Sequence, residues 1–249
     1  MPLEVLLLMC GTVCLGALLQ RTAGMGLGMV AAPLLTLLLG PVAGVTTSNM
    51  AAVAVALLVL RDLRHHVDWR RYAALAPLIV VGSVLGALAV RSTPAAWLDV
   101  LVGGSVLLAL VAGGVLARRT EITLPGTSVV AGLAAGFMNT TSGVAAPAMT
   151  AYSLATRWEH RAFRATLQPV FLTANLTSLL TKGLLGAAPA PGVLPVVIWP
   201  ALAAAAVLGV LLGRPVARRL SARAAARTAL VLATAGACAA LVRGLLSLA

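Results

Sequence analysis

Asn139-Thr140-Thr141-Ser142 sets four hydrogen-bonding side chains in a row inside an otherwise apolar run, and Gly143 follows directly. Polar side chains in such surroundings are costly unless they meet a cavity, water or one another. They can satisfy a broken backbone locally or donate to the oxygens of a ligand, and a break exposed to a cavity serves both ends. A second break lies in the first half of the chain, where Gly24, Gly26 and Gly28 alternate. Glycine at every second position lets the backbone approach a ligand closely, and glycine also serves close helix packing in membranes. The spacing resembles a dinucleotide loop only superficially, since no strand precedes it and no acidic partner follows. Thr47, Ser48 and Asn49 open a third segment, and Asn175 lies inside an eighth. An amide near mid-helix either bonds a neighbouring helix or lines a polar path. Arg21 is a conditional candidate: it meets an anionic ligand if the first break turns back within the membrane. If both arms of the first hairpin cross fully, it is another cytoplasmic positive charge.

Other chemistries find little support. Ser142 has no membrane-embedded histidine to activate it as a nucleophile. His65, His66 and His160 fall in connectors, and His65-His66-x-Asp68 lacks the further ligands of a metal site. Cys10, Cys14 and Cys238 have no CxxC spacing and read as small buried apolar residues. No catalytic residue, metal or cofactor is assigned. No carboxylate falls at mid-segment depth, where proton relays place one.

The elements that must hold these residues follow from composition. The chain has 249 residues, 61% hydrophobic and 10% charged, against roughly 25% charged in a soluble domain. Apolar segments recur at about 3–20, 24–39, 45–60, 72–90, 98–116, 127–141, 143–156, 165–186, 192–213 and 226–248. Crossing the hydrocarbon core takes about 20 helical residues, so the fold class is an all-α polytopic membrane protein. A soluble enzyme, a disordered tail and a disulfide-stapled secreted domain are excluded. The net charge of +12 does not point to nucleic acid, because arginine sits in short connectors and no basic stripe interleaves with aromatics. The start, Met1-Pro2-Leu3-Glu4, lacks the basic region of a signal peptide, so the first segment is expected to be retained.

Five segments fall in each half, and Val30-Ala31-Ala32-Pro33-Leu34-Leu35-Thr36 matches Val144-Ala145-Ala146-Pro147-Ala148-Met149-Thr150 at five positions. Arginine clusters at 61–71, 118–119, 157–164 and 214–227 mark the cytoplasmic side, and the stretches 40–44, 92–97 and 187–192 suit the outside. For 118–119 and 157–164 to share a side, the segments 127–141 and 143–156 must enter and return as a hairpin. The first two segments then form its counterpart from the opposite face. The expectation is two inverted repeats, 1–120 and 121–249, each a broken-helix hairpin plus three transmembrane helices, with both termini outside. Broken helices in inverted repeats are common in secondary transporters, and each short second arm places a helix N-terminus, which favours an anion, inside the membrane.

At this point the chain resembles the sulfite exporter TauE/SafE family, also called the 4-toluene sulfonate uptake permease family. The likeness is carried by Gly24-Met25-Gly26-Leu27-Gly28 with Val30-Ala31-Ala32-Pro33-Leu34, then Thr46-Thr47-Ser48 and Val67-Asp68-Trp69-Arg70. Gly82, Gly86, Gly143 to Pro147, Phe163-Arg164-Ala165-Thr166, Asn175, Gly209 to Arg214 and Arg243-Gly244 complete the ordered set. The resemblance implies transport of small anions, often sulfite or organosulfonates such as sulfoacetate, across the bacterial cytoplasmic membrane. The residues themselves point to an anion without naming sulfur. Potential-driven export by alternating access is the leading expectation. The rivals are a membrane-embedded enzyme or assembly factor and a passive channel. The partners are the small anion and the lipid bilayer, with no nucleic acid; a homodimer is left open.

Overall fold

The computed structural model describes residues 2–24, 27–116, 126–190, 192–196, 198–219 and 222–248. Among them the chain forms ten α-helices and one short 3-10 turn at Arg64–His66. The first half contains α1 (Leu3–Ala23), α2 (Leu27–Leu39), α3 (Pro41–Leu63), α4 (Trp69–Ser92) and α5 (Ala95–Leu116). The second contains α6 (Thr127–Ser142), α7 (Ala146–Ala155), α8 (His160–Leu184), α9 (Ile198–Arg219) and α10 (Ala222–Leu246). Each expected apolar segment has its helix. Four helices (α1, α3 with its 3-10 extension, α4 and the first part of α9) are long and apolar enough to cross a membrane. The exterior suits lipid: Leu7, Leu8, Val81, Leu85, Leu180, Leu208 and Leu211 are exposed, while Gln20, Asn49, Asn139, Gln168 and Asn175 are buried. That inverts the soluble pattern.

Helix bounds differ from the segments where caps intervene. α8 starts at His160 rather than at about 165, because Glu159 accepts from the N–H groups of Ala162 (2.7 Å) and Arg161 (2.8 Å). A side-chain cap of this kind winds the basic connector into the helix. The N–H groups of Ala162 and Arg161 hold the Glu159 carboxyl below its ordinary range. A lowered folded-state value stabilises above the ordinary carboxylate range, and that contribution drains as pH falls through the lowered value. Between about pH 6 and about pH 3 the melting point of the wild type is therefore expected to drop more than that of Glu159→Gln. Parallel curves would contradict the cap.

Glycine sets the closest packing. A Cβ on Gly82 or Gly86 of α4 would run into the backbone of α6 at Leu133 and Phe137. A Cβ on Gly209 or Gly213 of α9 would meet α1 at Cys14, Leu18 and Arg21. Leu133 and Phe137 stand from Cys14 and Leu18 at one constant offset, the same one that separates Gly143 from Gly24. Small residues at such crossings let helices approach closely. The partners recur five helices along: α4 lies on α6 as α9 lies on α1, and α3 faces α8 as α5 faces α10. The recurrence is incomplete, since α2, with 13 residues, lies along α3, whereas α7, with 10, barely touches α8.

The matched V-A-A-P-x-x-T stretches do not occupy equivalent places. Pro33 is inside α2, whereas Pro147 sits in the first turn of α7, where its missing N–H costs nothing. Equivalence runs through the caps instead. Gly24 and Gly143 both adopt left-handed backbone (φ 87° and 73°), and their N–H groups donate to Gln20 O (2.8 Å) and Asn139 O (2.9 Å).

The connectors sort by charge. At one end Arg21 and Arg214 both pair with Asp62 (3.0 and 3.1 Å). At the same end the Asp68 N–H donates to Thr166 Oγ1 (2.9 Å), and Arg71 donates to Thr156 Oγ1 (3.4 Å). At the other end Gly40, Pro41, Val42, Ala43, Ala95, Pro189, Ala190 and Val193 line one cleft, so parts of the three stretches without net positive charge gather there. Arg118 and Arg119 lie outside the described residues.

Candidate functional site

The two helix interruptions meet. A Cβ on Gly28, in the first turn of α2, would fall onto the carbonyl oxygen of Gly143, and one on Gly143 would reach Ala32 Cβ at 2.7 Å. Gly28 and Met29 at the start of α2, and Gly143–Ala146 leading into α7, share one central cavity with Gln20, Ala52, Asn139, Phe171 and Asn175. A helix start leaves backbone N–H groups without intrahelical partners and carries partial positive charge. Two such starts therefore face a single small space. About 20 Å³ of it is open to the centre of a water molecule, room for about one water.

Amide side chains tie the first arms to the same helix, α8. Asn139 Nδ2 donates to Asn175 Oδ1 (3.0 Å), and Asn175 Nδ2 donates to Phe171 O (2.7 Å). Gln20 Nε2 donates to Gln168 Oε1 (3.2 Å), and Gln168 Nε2 donates to Gly24 O (3.1 Å). Asn49 Nδ2 reaches Ser178 Oγ (2.8 Å) and Asn139 O (3.5 Å). Its Oδ1 is buried without a partner and faces Gly143. Gln20 corresponds to Asn139, and Asn49 to Gln168, at the offset that relates the two capping glycines.

The candidates read from sequence divide accordingly. Gly28, Asn139, Gly143 and Asn175 line the cavity, and Asn49 adjoins it. Gly24 lies behind it, against the Arg164 side chain. Gly26 lies outside the described residues. Thr47 and Thr141 spend their hydroxyls on their own helices, donating to Ala43 O (2.8 Å) and Phe137 O (2.9 Å). Ser142 donates to Met138 O (2.9 Å) and accepts from Ser105 (2.8 Å). Ser48 and Thr140 keep buried hydroxyls without partners, Thr140 against Gly86, and neither lines the cavity. Arg21 is ion-paired to Asp62 at the basic end and does not line the cavity.

Gln20, Gln168, Ala52 and Phe171 were not singled out from sequence. A signal for the glutamines existed. Gln20 precedes Gly24 by the spacing at which Asn139 precedes Gly143, and Gln168 shares a helical face with Asn175.

Away from the cavity, Arg243 of α10 holds the far end of α2. Its guanidinium donates to both carboxylate oxygens of Asp99 (2.6 and 2.9 Å), and to Thr36 O (2.9 Å) and Leu37 O (3.0 Å).

A lipid-type exterior, amides buried within an apolar core and two interrupted helices meeting at mid-bundle define a polytopic helical membrane protein. The chain belongs to the family described as sulfite exporter TauE/SafE, whose model matches residues 8–241. Among curated proteins and among solved structures, nothing matches the chain.

Proposed function

We propose that this protein transports small oxyanions, sulfite and organosulfonates such as sulfoacetate among them, across the bacterial cytoplasmic membrane. Export proceeds by alternating access between two five-helix halves, 1–120 and 121–249, inserted in opposite senses. The observation that carries this reading is the convergence of the α2 and α7 starts on one cavity with amides and no carboxylate among its lining residues. Each start offers free N–H groups and about half a positive charge, so the guest favoured there is an anion with several oxygens. The constant offset linking Gln20, Gly24 and Asn49 to Asn139, Gly143 and Gln168 supports the two-copy arrangement. An odd number of helices per copy makes counterparts run in opposite directions.

The central space holds about one water as it stands, and on this reading a guest enters when the halves part. An inside-negative potential drives each exported negative charge outward with about 2.3 kcal/mol per 100 mV, more than tenfold in concentration. No coupling ion is then required. Proteoliposomes loaded with sulfite test this: efflux is expected to saturate and to rise with an inside-negative potential. Efflux indifferent to voltage but dependent on a pH gradient rules out uniport, and efflux no faster than from empty liposomes rules out transport.

Asn175→Ala leaves the Asn139 amide without its partner, a loss of about 1–3 kcal/mol for a buried polar group. A lower melting point and a raised half-saturation for sulfite are expected in melts and flux assays. Unchanged values for both would remove the amide pair from the site.

A further inference from the structure

Lys182 is the only lysine in the chain, and its side chain is the largest of the fully buried ones, 1% exposed. No described carboxylate lies within ion-pair range of it, and its ammonium makes no hydrogen bond to a described residue. A buried charge without a partner costs several kcal/mol, and an ionisable residue inside a membrane bundle has a functional reading by default. A lysine that merely reached for the membrane surface would keep its head in water, whereas this residue as a whole is 1% exposed.

Its place on α8 gives the charge a role. Gln168, Phe171, Asn175, Ser178 and Lys182 recur at helical spacing on one face, and Phe171 and Asn175 line the central cavity. Ser178 accepts from Asn49, and Lys182 follows one turn further, about 10 Å along the axis from Asn175. The Lys182 carbonyl accepts from the Ala187 N–H (2.8 Å). Ala187 packs with Val42, and Val42 lines the cleft of about 200 Å³ at the end away from the arginine-rich connectors. The Lys182 backbone therefore adjoins the wall of that cleft, two turns along α8 from the cavity-lining Asn175. The same face carries Arg164 one turn before Gln168, beside a cavity of about 230 Å³ at the basic end. Arg164 Nε is buried and unpartnered. The face thus bears a cation at each end, about 27 Å apart.

We propose that Lys182 is an anion-binding residue at the end of the pathway away from the arginine-rich connectors, where its ammonium receives the oxyanion as it passes between the central cavity and the outer cleft. This rests on the anion-transport reading above. An ammonium is a point charge with three rotatable donors, suited to an oxyanion in transit, because it can exchange one oxygen for another without a fixed geometry.

The test uses the whole chain in proteoliposomes of known orientation, with sulfite as the probe, measuring half-saturation from each face. Lys182→Met is expected to raise half-saturation at the outer face at least tenfold, to leave the inner face within about twofold, and to melt at or above the wild type. The last outcome follows because removing an unpaired buried charge relieves its cost. Lys182→Arg is expected to recover most of the outer-face affinity. In detergent, sulfite is expected to raise the melting point of the wild type more than that of Lys182→Met. If the wild type moves no sulfite, the transport reading fails. If the wild type moves sulfite and Lys182→Met matches it at both faces, Lys182 has no part in binding. A Met variant that does not fold also overturns the proposal, since the ammonium is then structural.

Discussion

Gly28→Ala is expected to lose nearly all sulfite flux and to melt well below the wild type. The methyl group would overlap the carbonyl oxygen of Gly143, and both partners are backbone, so neither can swing aside. Overpacking a tight site costs about 1–3 kcal/mol when the surroundings adjust. Here adjustment means moving α2 away from the α6–α7 break, which separates the two helix starts that share the cavity. Gly104→Ala is the control: nothing lies within 4 Å of a Cβ there, and alanine is the better helix former by up to about 1 kcal/mol. A Gly28→Ala protein with wild-type flux and melting point would show that the two breaks do not need this contact.

Arg243→Met is expected to destabilise the protein by about 2–4 kcal/mol, read as a lowered melting point in detergent. Truncating one member of a buried ion pair costs more than the pair is worth, because the other charge stays buried alone. Asp99 is 5% exposed, whereas Arg243 keeps about a third of its side chain in contact with solvent, which trims the figure. Leu37 O loses its guanidinium donor in the same step and Thr36 O keeps only the Gly40 N–H, loosening the end of α2. Adding Asp99→Asn to Arg243→Met is expected to recover part of the loss, since the stranded charge is gone. Strictly additive losses in this double-mutant cycle would mean that the two side chains are not coupled.

The helices were legible in the sequence because hydrocarbon imposes a length and composition on each crossing, and arginine marks the connectors at one end. Both breaks were legible too, through Gly24 and Gly143. The proposed repeat has only an outline in the sequence. V-A-A-P-x-x-T recurs at places that are not equivalent, and the residues that stand at the offset of the two capping glycines differ in type: glutamine stands for asparagine at Gln20 and Asn139, and the reverse at Asn49 and Gln168. Geometry keeps the amide and tolerates the extra methylene, which a residue-by-residue comparison scores as a mismatch.

The candidate site was read in part, for a related reason. A hydroxyl in an apolar run is as often bonded to the carbonyl four residues back as turned toward a ligand, and Thr47, Thr141 and Ser142 took that option. Amides cannot satisfy both ends so locally, which is why Asn139 and Asn175 were better guides. Arg164 was read as a connector charge because α8 extends beyond the apolar run at its basic end.

The meeting of the two breaks at one small space has a kinetic consequence on the alternating-access reading proposed above. Each passenger then waits for the walls themselves to shift. Collective helix motions take microseconds to milliseconds, which caps throughput at roughly 10³ to 10⁶ ions per second. The current carried by one molecule is then too faint for single-channel recording, and its temperature dependence follows the swing of whole helices rather than the viscosity of water.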